Sequence, residues 1–170
     1  MSKWIDKRGP VEASTTYVDG ELVGTDMTFT LPEITFATAD IQAMGTMSIP
    51  LFSMIEDMET TITKVGEDAN MGKLQAPKMK TIEHRWVRDV VKSDGSIEKE
   101  GCKVFFKCVP KNLQPGNSIE LGSASEGDLT YGVFRERLVI NGEEVLLVDR
   151  LSRKIKINGT DYSSDLDSLL

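Results

Sequence analysis

The side chains best suited to chemistry in this chain are its one histidine, His84, and its two cysteines, Cys102 and Cys108. A histidine offers acid or base work near neutral pH, and a thiolate offers nucleophilic attack or metal ligation. Their surroundings support neither. His84 sits mid-strand between Glu83 and Arg85, and alternation sends those two charges to the face opposite His84 and Trp86. Cys102 and Cys108 fall on one face of a predicted strand, about 20 Å apart at ~3.3 Å per residue, too far to bridge. They are expected as buried thiols in a reducing compartment, acting as small apolar residues. Without C-x-x-C or H-x-x-x-H spacing, neither a transition-metal site nor a cofactor is expected. The acidic clusters Glu56-Asp57, Glu67-Asp68 and Asp165/Asp167 lack the alternating oxygens and glycine of a calcium loop. Gly122, Gly127 and Gly132 fit no phosphate-cradling pattern, and no Ser or Cys is accompanied by a credible base. Asn158-Gly159-Thr160 matches a glycosylation triplet but reads as a turn. Enzyme activity is not expected.

Composition bounds the remaining classes. A chain of 170 residues is one domain by length, and 39% hydrophobic with 28% charged residues is ordinary for a folded protein. A net charge of −7 argues against a generic nucleic-acid binder, which needs a basic face to release counterions from phosphates. There is no apolar run of membrane-spanning length, and MSKWIDKRGP lacks the apolar core of a signal peptide, so the chain is expected to stay in the cytoplasm where it is made.

The elements that position these residues are strands. Leu129 to Tyr162 contains two Asn-Gly pairs, Asn141-Gly142 and Asn158-Gly159, around runs of Val, Leu and Ile, which predicts a terminal meander. A two-residue Asn141-Gly142 loop sets Ile140 against Glu143, Leu138 against Val145, Glu136 against Leu147 and Phe134 against Asp149. One face then collects Phe134, Leu138, Ile140, Val145 and Leu147 as core, and the other collects Arg135, Arg137, Glu144, Arg150, Lys154 and Lys156 with Val139, Leu146 and Val148. That second face is too apolar for water alone and is expected to meet another surface.

Upstream, residues 1–16 are polar and predict an extended arm of weak intrinsic structure. Asp19-Gly20 predicts a first hairpin, and Leu31-Pro32 interrupts a Thr-rich edge strand. From Asp40 to Asp57 the apolar residues follow no clean period and are broken by Gly45 and Pro50, which suits either core or an adaptable, Met-rich contact surface. Met58 to Val65 alternates as a strand, and Glu67 to Gln75 predicts a short helix. Lys78–Val91 and Ile97–Val109 predict two long strands about Asp94-Gly95, with Cys102, Val104, Phe106 and Cys108 facing one way. Residues 112–128 form a Gly/Ser/Pro-rich loop, and residues 163–170 a tail with at most one helical turn. About nine strands with one helix leave edges that this chain cannot cover, and a head-to-tail ring of subunits removes them.

In order and spacing these features resemble the major tail tube protein of contractile-tailed bacteriophages and of phage-tail-like bacteriocins. The resemblance runs over residues 17–161. It rests on the Val18-x-Gly20 hairpin, FTLPEI followed by Met44-Gly45, Met58-Glu59 entering a strand, and the Lys111-x-x-x-Pro115-Gly116 loop. RLVINGEEVLLVD, leading to the second Asn-Gly, carries most of it. The polar segment before Tyr17 is longer, the helix shorter, and the Ser168-Leu169-Leu170 end different from the family's pattern.

The resemblance implies a mainly β fold of two packed antiparallel sheets with a short flanking helix. It further implies hexameric rings stacked into a hollow tube inside a contractile sheath, as a conduit for DNA in a phage or a driven needle in a bacteriocin particle. The implied partners are other copies of the chain, the sheath protein, a tape-measure protein in the lumen and baseplate or tail-tip proteins, with DNA passing unbound. An acidic chain fits a lumen that repels phosphate. On this reading Glu59, Thr61, Thr63, Thr81, Glu83 and Arg85 are the lumen candidates. Leu31, Pro32, Ile41, Met44, Gly45, Met47, Ile49, Leu51 and Phe52 are the candidates for inter-subunit or inter-ring contact, with the stretch 41–55 and the terminal arms at 1–16 and 163–170 as the segments that join rings. Arg135, Arg137, Arg150 and Lys154 are candidates for a lateral or sheath-facing surface. Two alternatives stand beside it: a type VI-like secretion tube, and a monomeric β-sandwich binding module using the loop at 112–128.

Overall fold

Runs of alternating residues, closed by turns with left-handed backbone, fold into an antiparallel β protein; the computed structural model describes residues 4–170. The elements are β1 (Lys7–Val18), β2 (Glu21–Thr25), β3 (Thr28–Phe29), β4 (Phe36–Gln42), β5 (Thr46–Ile55), β6 (Met58–Val65) and α1 (Asn70–Gln75). Then come β7 (Lys80–Val91), β8 (Ile97–Pro110), β9 (Glu126–Ile140), β10 (Glu143–Asp149), β11 (Lys154–Ile157), β12 (Thr160–Asp161) and α2 (Ser164–Leu169). Asp19-Gly20, Asn141-Gly142 and Asn158-Gly159 all place both residues at positive φ, the geometry of the two-residue hairpin turns that Asp-Gly and Asn-Gly favour.

Ten strands form one sheet, in the order β12-β11-β10-β9-β8-β7-β1-β2 with β6 on β9 and β3 on β6. The long β9 is its hub. One edge of β9 pairs with β8, while the other pairs with β6 along its first half and β10 along its second. The sheet curls on itself, so that Phe29, opposite Ile62 of β6, stacks on His84 of β7 with ring centroids 3.9 Å apart. Two packed antiparallel layers result, both parts of one curled sheet, and β4–β5 forms a second, separate sheet.

Between the layers Met58, Ile62, Ile82, Val104, Phe106, Leu129 and Tyr131 are fully buried, each contributing about 1.5–3 kcal/mol by leaving water. Leu74 of α1 joins them, and its carbonyl accepts from Lys80 Nζ at 2.8 Å and Tyr131 Oη at 2.7 Å. The Lys80 ammonium also reaches Lys73 O at 2.9 Å, so a buried cation holds the C-terminal carbonyls of the helix. Cys102 and Cys108 are both buried and reduced, and burial pushes the Cys108 thiol up to about 12.

Several expectations are corrected. Residues 7–16 belong to β1, paired with β7 from Lys7 to Val18, while residues 1–3 of the expected arm lie outside the described residues. The first seven residues of β1 are exposed, so their hold on the sheet comes from hydrogen bonds and ion pairs, Glu100 with Arg8 and Lys99 with Glu12, while Lys92 holds Asp6 just before the strand. The helix begins at Asn70 and not at Glu67; Asp68 instead accepts from the Asn70 amide. The loop ends at residue 125, and the tail forms the six-residue α2 with no buried side chain.

The largest correction concerns the meander. Ile140 does face Glu143, but the register then shifts between Glu144 and Leu146, so Leu138 faces Leu146, Glu136 faces Val148 and Arg135 faces Asp149. A second shift, between Lys107 and Cys108 of β8, leaves Phe134 as the extra residue of β9. Each extra residue reverses alternation. The core face therefore runs Leu129, Tyr131 and Val133, then Glu136, Leu138 and Ile140, with Leu146 and Val148 from β10. Phe134 and Val145 leave it, and Leu147 is buried on the opposite face between Arg137 and Lys156 in the register.

Candidate assembly surfaces

Two surfaces have a composition at odds with plain solvent exposure. The first is the β4–β5 hairpin. Its register sets Ala37 opposite Leu51, Ala39 opposite Ile49 and Ile41 opposite Met47 on one side, with Thr38 opposite Pro50, Asp40 opposite Ser48 and Gln42 opposite Thr46 on the other. One side is thus wholly apolar, yet Ile41 is 48% and Met47 51% exposed. Phe36 and Ile55 anchor the base of the hairpin on the core, and the Phe52 ring meets Phe36 edge-on at 5.1 Å. At the tip Met44 has φ 51° and a fully exposed side chain. A bulky residue in left-handed backbone costs about 1 kcal/mol or more, a strain that marks functional positions.

The contact candidates Ile41, Met44, Gly45, Met47, Ile49, Leu51 and Phe52 all lie on this hairpin, and the structure brings them together on a projection. Leu31 and Pro32 stand apart in the segment before it, Leu31 exposed and Pro32 buried. The two-residue alternation across Ala37–Ile41 and Met47–Leu51 is present in the sequence, but the stretch 41–55 straddles the turn, where the parity is reset.

The second surface is the outer face of β7–β8–β9–β10–β11. Tyr17, Glu83, Phe105, Arg137, Leu147 and Lys156 align across it in one row, and Thr81, Lys107, Arg135, Asp149 and Lys154 in the next. Arg85, Lys103, Lys107, Arg135, Arg137, Lys154 and Lys156 outnumber Glu83, Glu144, Asp149 and Asp161, an excess of three positive charges on a chain of net −7. Arg85 pairs with Glu83 at 2.5 Å and lies over the Tyr17 ring, and Arg137 pairs with Glu144 at 2.7 Å.

The structure therefore joins what the sequence separated. Thr81, Glu83 and Arg85, expected in the lumen, share this face with Arg135, Arg137 and Lys154, expected to face sideways or toward a sheath. Arg150 lies beyond it, at the turn after β10, and reaches Asp57 at 3.2 Å. Glu59, Thr61 and Thr63 lie on β6, across the core from β7, beside Asp128 and Thr130 of β9. There Glu59 pairs with Lys111 at 2.5 Å and Thr63 donates to Asp128 at 2.7 Å.

His84 is fully buried, shares a hydrogen bond with Thr16, and is held by burial near a pKa of about 3. Such an imidazole reaches no substrate. Among the described residues no group of three or more His, Cys, Asp or Glu side chains gathers to hold a metal ion, and no helix is long and apolar enough to cross a membrane. The loop at 112–125 is tied at its start, where Gln75 and Gln114 exchange hydrogen bonds and Asn112 bridges Asp128 O and the Thr130 amide, while Ile119 and Leu121 farther along are exposed.

Solved structures share this fold. The tube-bearing sheath-tube complex of an extracellular contractile injection system (PVC, extended state) contains a chain with TM-score 0.52 and 13% identity over 78% of this chain and 90% of that one. The sheath/tube terminator of the same system gives TM-score 0.52 and 14% identity over 77% and 94%. The tube-terminating cap of the anti-feeding prophage gives 0.56 and 15% over 82% and 95%. No curated protein matches the sequence significantly. The family model described as phage tail tube protein FII matches residues 10–170, nearly the whole chain, and the chain belongs to that family of structural tail tube proteins.

Proposed function

We propose that this chain assembles into closed hexameric rings that stack as the inner tube of a contractile particle, with other copies of itself, a surrounding sheath and tail-end proteins as partners. The observation that carries this is the β4–β5 hairpin, on whose apolar side Ile41 and Met47 stand exposed beside the half-buried Ile49 and Leu51, and whose left-handed tip at Met44 points into solvent. The solved neighbours from sheath-tube, terminator and cap assemblies support the sheath and tail-end partners. The role is mechanical, with no catalysis. The particle is a phage tail delivering DNA past a tape-measure protein, or a bacteriocin-like needle, built in the host cytoplasm.

For a DNA conduit the charge distribution favours the β6 side as the lumen wall. A face with excess Lys and Arg retains phosphate, whereas Glu59, Thr61, Thr63 and Asp128 do not. The basic face of β7 to β11, with Arg135, Arg137 and Lys154, is then lateral or sheath-facing, and Thr81, Glu83 and Arg85 go with it.

Negative-stain electron microscopy of the purified protein, alone and with its cognate baseplate, tests the assembly. Rings or hollow tubes are expected; monomers under both conditions overturn it. In tubes, Thr61→Cys should resist a bulky maleimide that labels Lys107→Cys, and the reverse pattern would exchange the two faces.

A further inference from the structure

The outer face of β7 to β11 works against itself in the isolated subunit. Arg85 stands directly opposite Lys103, and Lys107 directly opposite Arg135, like charges on neighbouring strands that destabilise a ladder. Lys103 and Lys107 are exposed and make no ion pair among the described residues. The nearby acids are engaged elsewhere, Glu83 on Arg85 and Glu144 on Arg137, and Asp149 stays 3.9 Å from Arg135. A carboxylate at either lysine would have turned a repulsive cross-strand pair into an attractive one.

Two clefts open among these cations. One, of about 230 Å³, is lined by Thr81, Phe105, Lys107, Arg135 and Arg137, and the other, of about 390 Å³, by Tyr17, Arg85, Val87, Gly101 and Lys103. No carboxylate lines either. Gly101 lies inside β8 at an ordinary φ, and a side chain there would begin in open space, so neither a turn nor crowding requires the glycine. Glycine inside a strand often marks a place where another molecule comes close. Lys103, Phe105 and Lys107 alternate outward along β8, so two cations about 13 Å apart at ~3.3 Å per residue flank an aromatic ring. That pattern complements an extended segment with two acids on either side of one apolar residue. DNA is the poorer match: a long polyanion meets the whole chain, net −7, whereas a short segment feels the local positive excess within a Debye length of about 8 Å.

Resting on the reading of this chain as a tube subunit whose β6 side lines the lumen, we infer that this face, across the core from β6, seats an acidic segment of the sheath protein. Its carboxylates lie beside Lys103 and Lys107, with an apolar side chain between them against Phe105. The face then trades stability of the free subunit for a partner that supplies the missing negative charge.

Chemical-shift titration of the subunit tests the chemistry whether or not tubes form. The capped peptide Glu-Ser-Leu-Ser-Glu should shift Lys103 to Lys107 and Arg135 to Arg137, and the effect should fade toward about 1 M salt. The same peptide with lysines for glutamates should leave them unmoved. Equal shifts from both peptides, no shifts at this face, or stronger shifts from a short DNA duplex would overturn the inference. Co-sedimentation of tubes with the cognate sheath tests the occupant. Lys103→Glu and Lys107→Glu should each raise Tm by about 1–4 °C, keep normal tubes by electron microscopy and, combined, cut bound sheath at least about tenfold. Gly101→Leu, which fills a cleft and leaves every charge in place, should also lower bound sheath without lowering Tm. Undiminished sheath on tubes of the combined variant would overturn the inference. Loss of tubes in that variant, with its Tm kept, would overturn the sheath as occupant and make the face a contact between copies of this chain.

Discussion

Thr16 Oγ1 and His84 Nδ1 lie 2.9 Å apart inside the core, and no other polar atom meets the imidazole among the described residues, since Nε2 is buried without a partner. This makes His84 an acid-sensitive point of the fold. Its folded pKa of about 3 lies below the ordinary 6.5, so between those values the unfolded chain holds the extra proton and stability falls as pH falls. Glu136 opposes it. Burial raises its carboxyl from 4.5 to about 7, so there the folded chain holds the extra proton and stability falls as pH rises. From about pH 4.5 to 6.5 the two contributions cancel. Glu136→Gln should therefore expose a loss of roughly 1.4 kcal/mol per pH unit on acidification, and His84→Phe a loss of similar slope on raising the pH, both read from thermal unfolding against pH.

Lys80 should matter more to α1 than to the sheet. Lys80→Met removes both donors from the carbonyls of Lys73 and Leu74, leaving Tyr131 on the latter. The expected cost is about 1–3 kcal/mol, with amide exchange in Asn70–Gln75 rising before that of β8 or β9. Equal acceleration throughout would mean that the ammonium supports the whole core.

Glu100 is a buried carboxylate whose desolvation is outweighed by hydrogen bonds from Arg88 and Arg8, so its pKa is lowered. Because Arg8 belongs to the exposed half of β1, Glu100→Gln should loosen residues 7–12 selectively. Hydrogen exchange there should quicken while the core spectrum stays unchanged, and the difference from wild type should largely persist in high salt, which screens a buried carboxylate little.

Met44→Gly relieves the left-handed backbone at the hairpin tip. The variant should be about 1 kcal/mol more stable as a monomer and poorer at forming tubes, because the exposed side chain is lost. Improved tube formation would show that Met44 is a tolerated misfit with no contact to make.

Much of this architecture is local and was legible from residue order. Asn-Gly and Asp-Gly fix left-handed turns by themselves, so the hairpins at 19–20, 141–142 and 158–159 stand where expected. Met58–Val65 is a strand with the expected ends, and the inward set Cys102, Val104, Phe106 and Cys108 follows from a period of two residues. The inward placement of His84 and Trp86, with Glu83 and Arg85 on the opposite face, followed from the same alternation. Order and spacing were also enough to point to the tail tube family.

The remainder depended on strands far apart in the chain. Whether a strand keeps its parity depends on the partner it must match. Bulges at Phe134 and Val145 move Leu146 and Val148 inward, and nothing within RLVINGEEVLLVD announces them. Residues 7–16 look weak alone because their hold is a ladder with β7 and charges on β7 and β8. The apolar side of Ala37–Leu51 was written in the sequence as alternation, but only packing could show Ile41 and Met47 exposed beside half-buried Ile49 and Leu51, since burial is a property of what the rest of the chain places nearby. The same holds for charge: basic residues from β7, β8, β9 and β11 become one face only when the ladder sets them side by side.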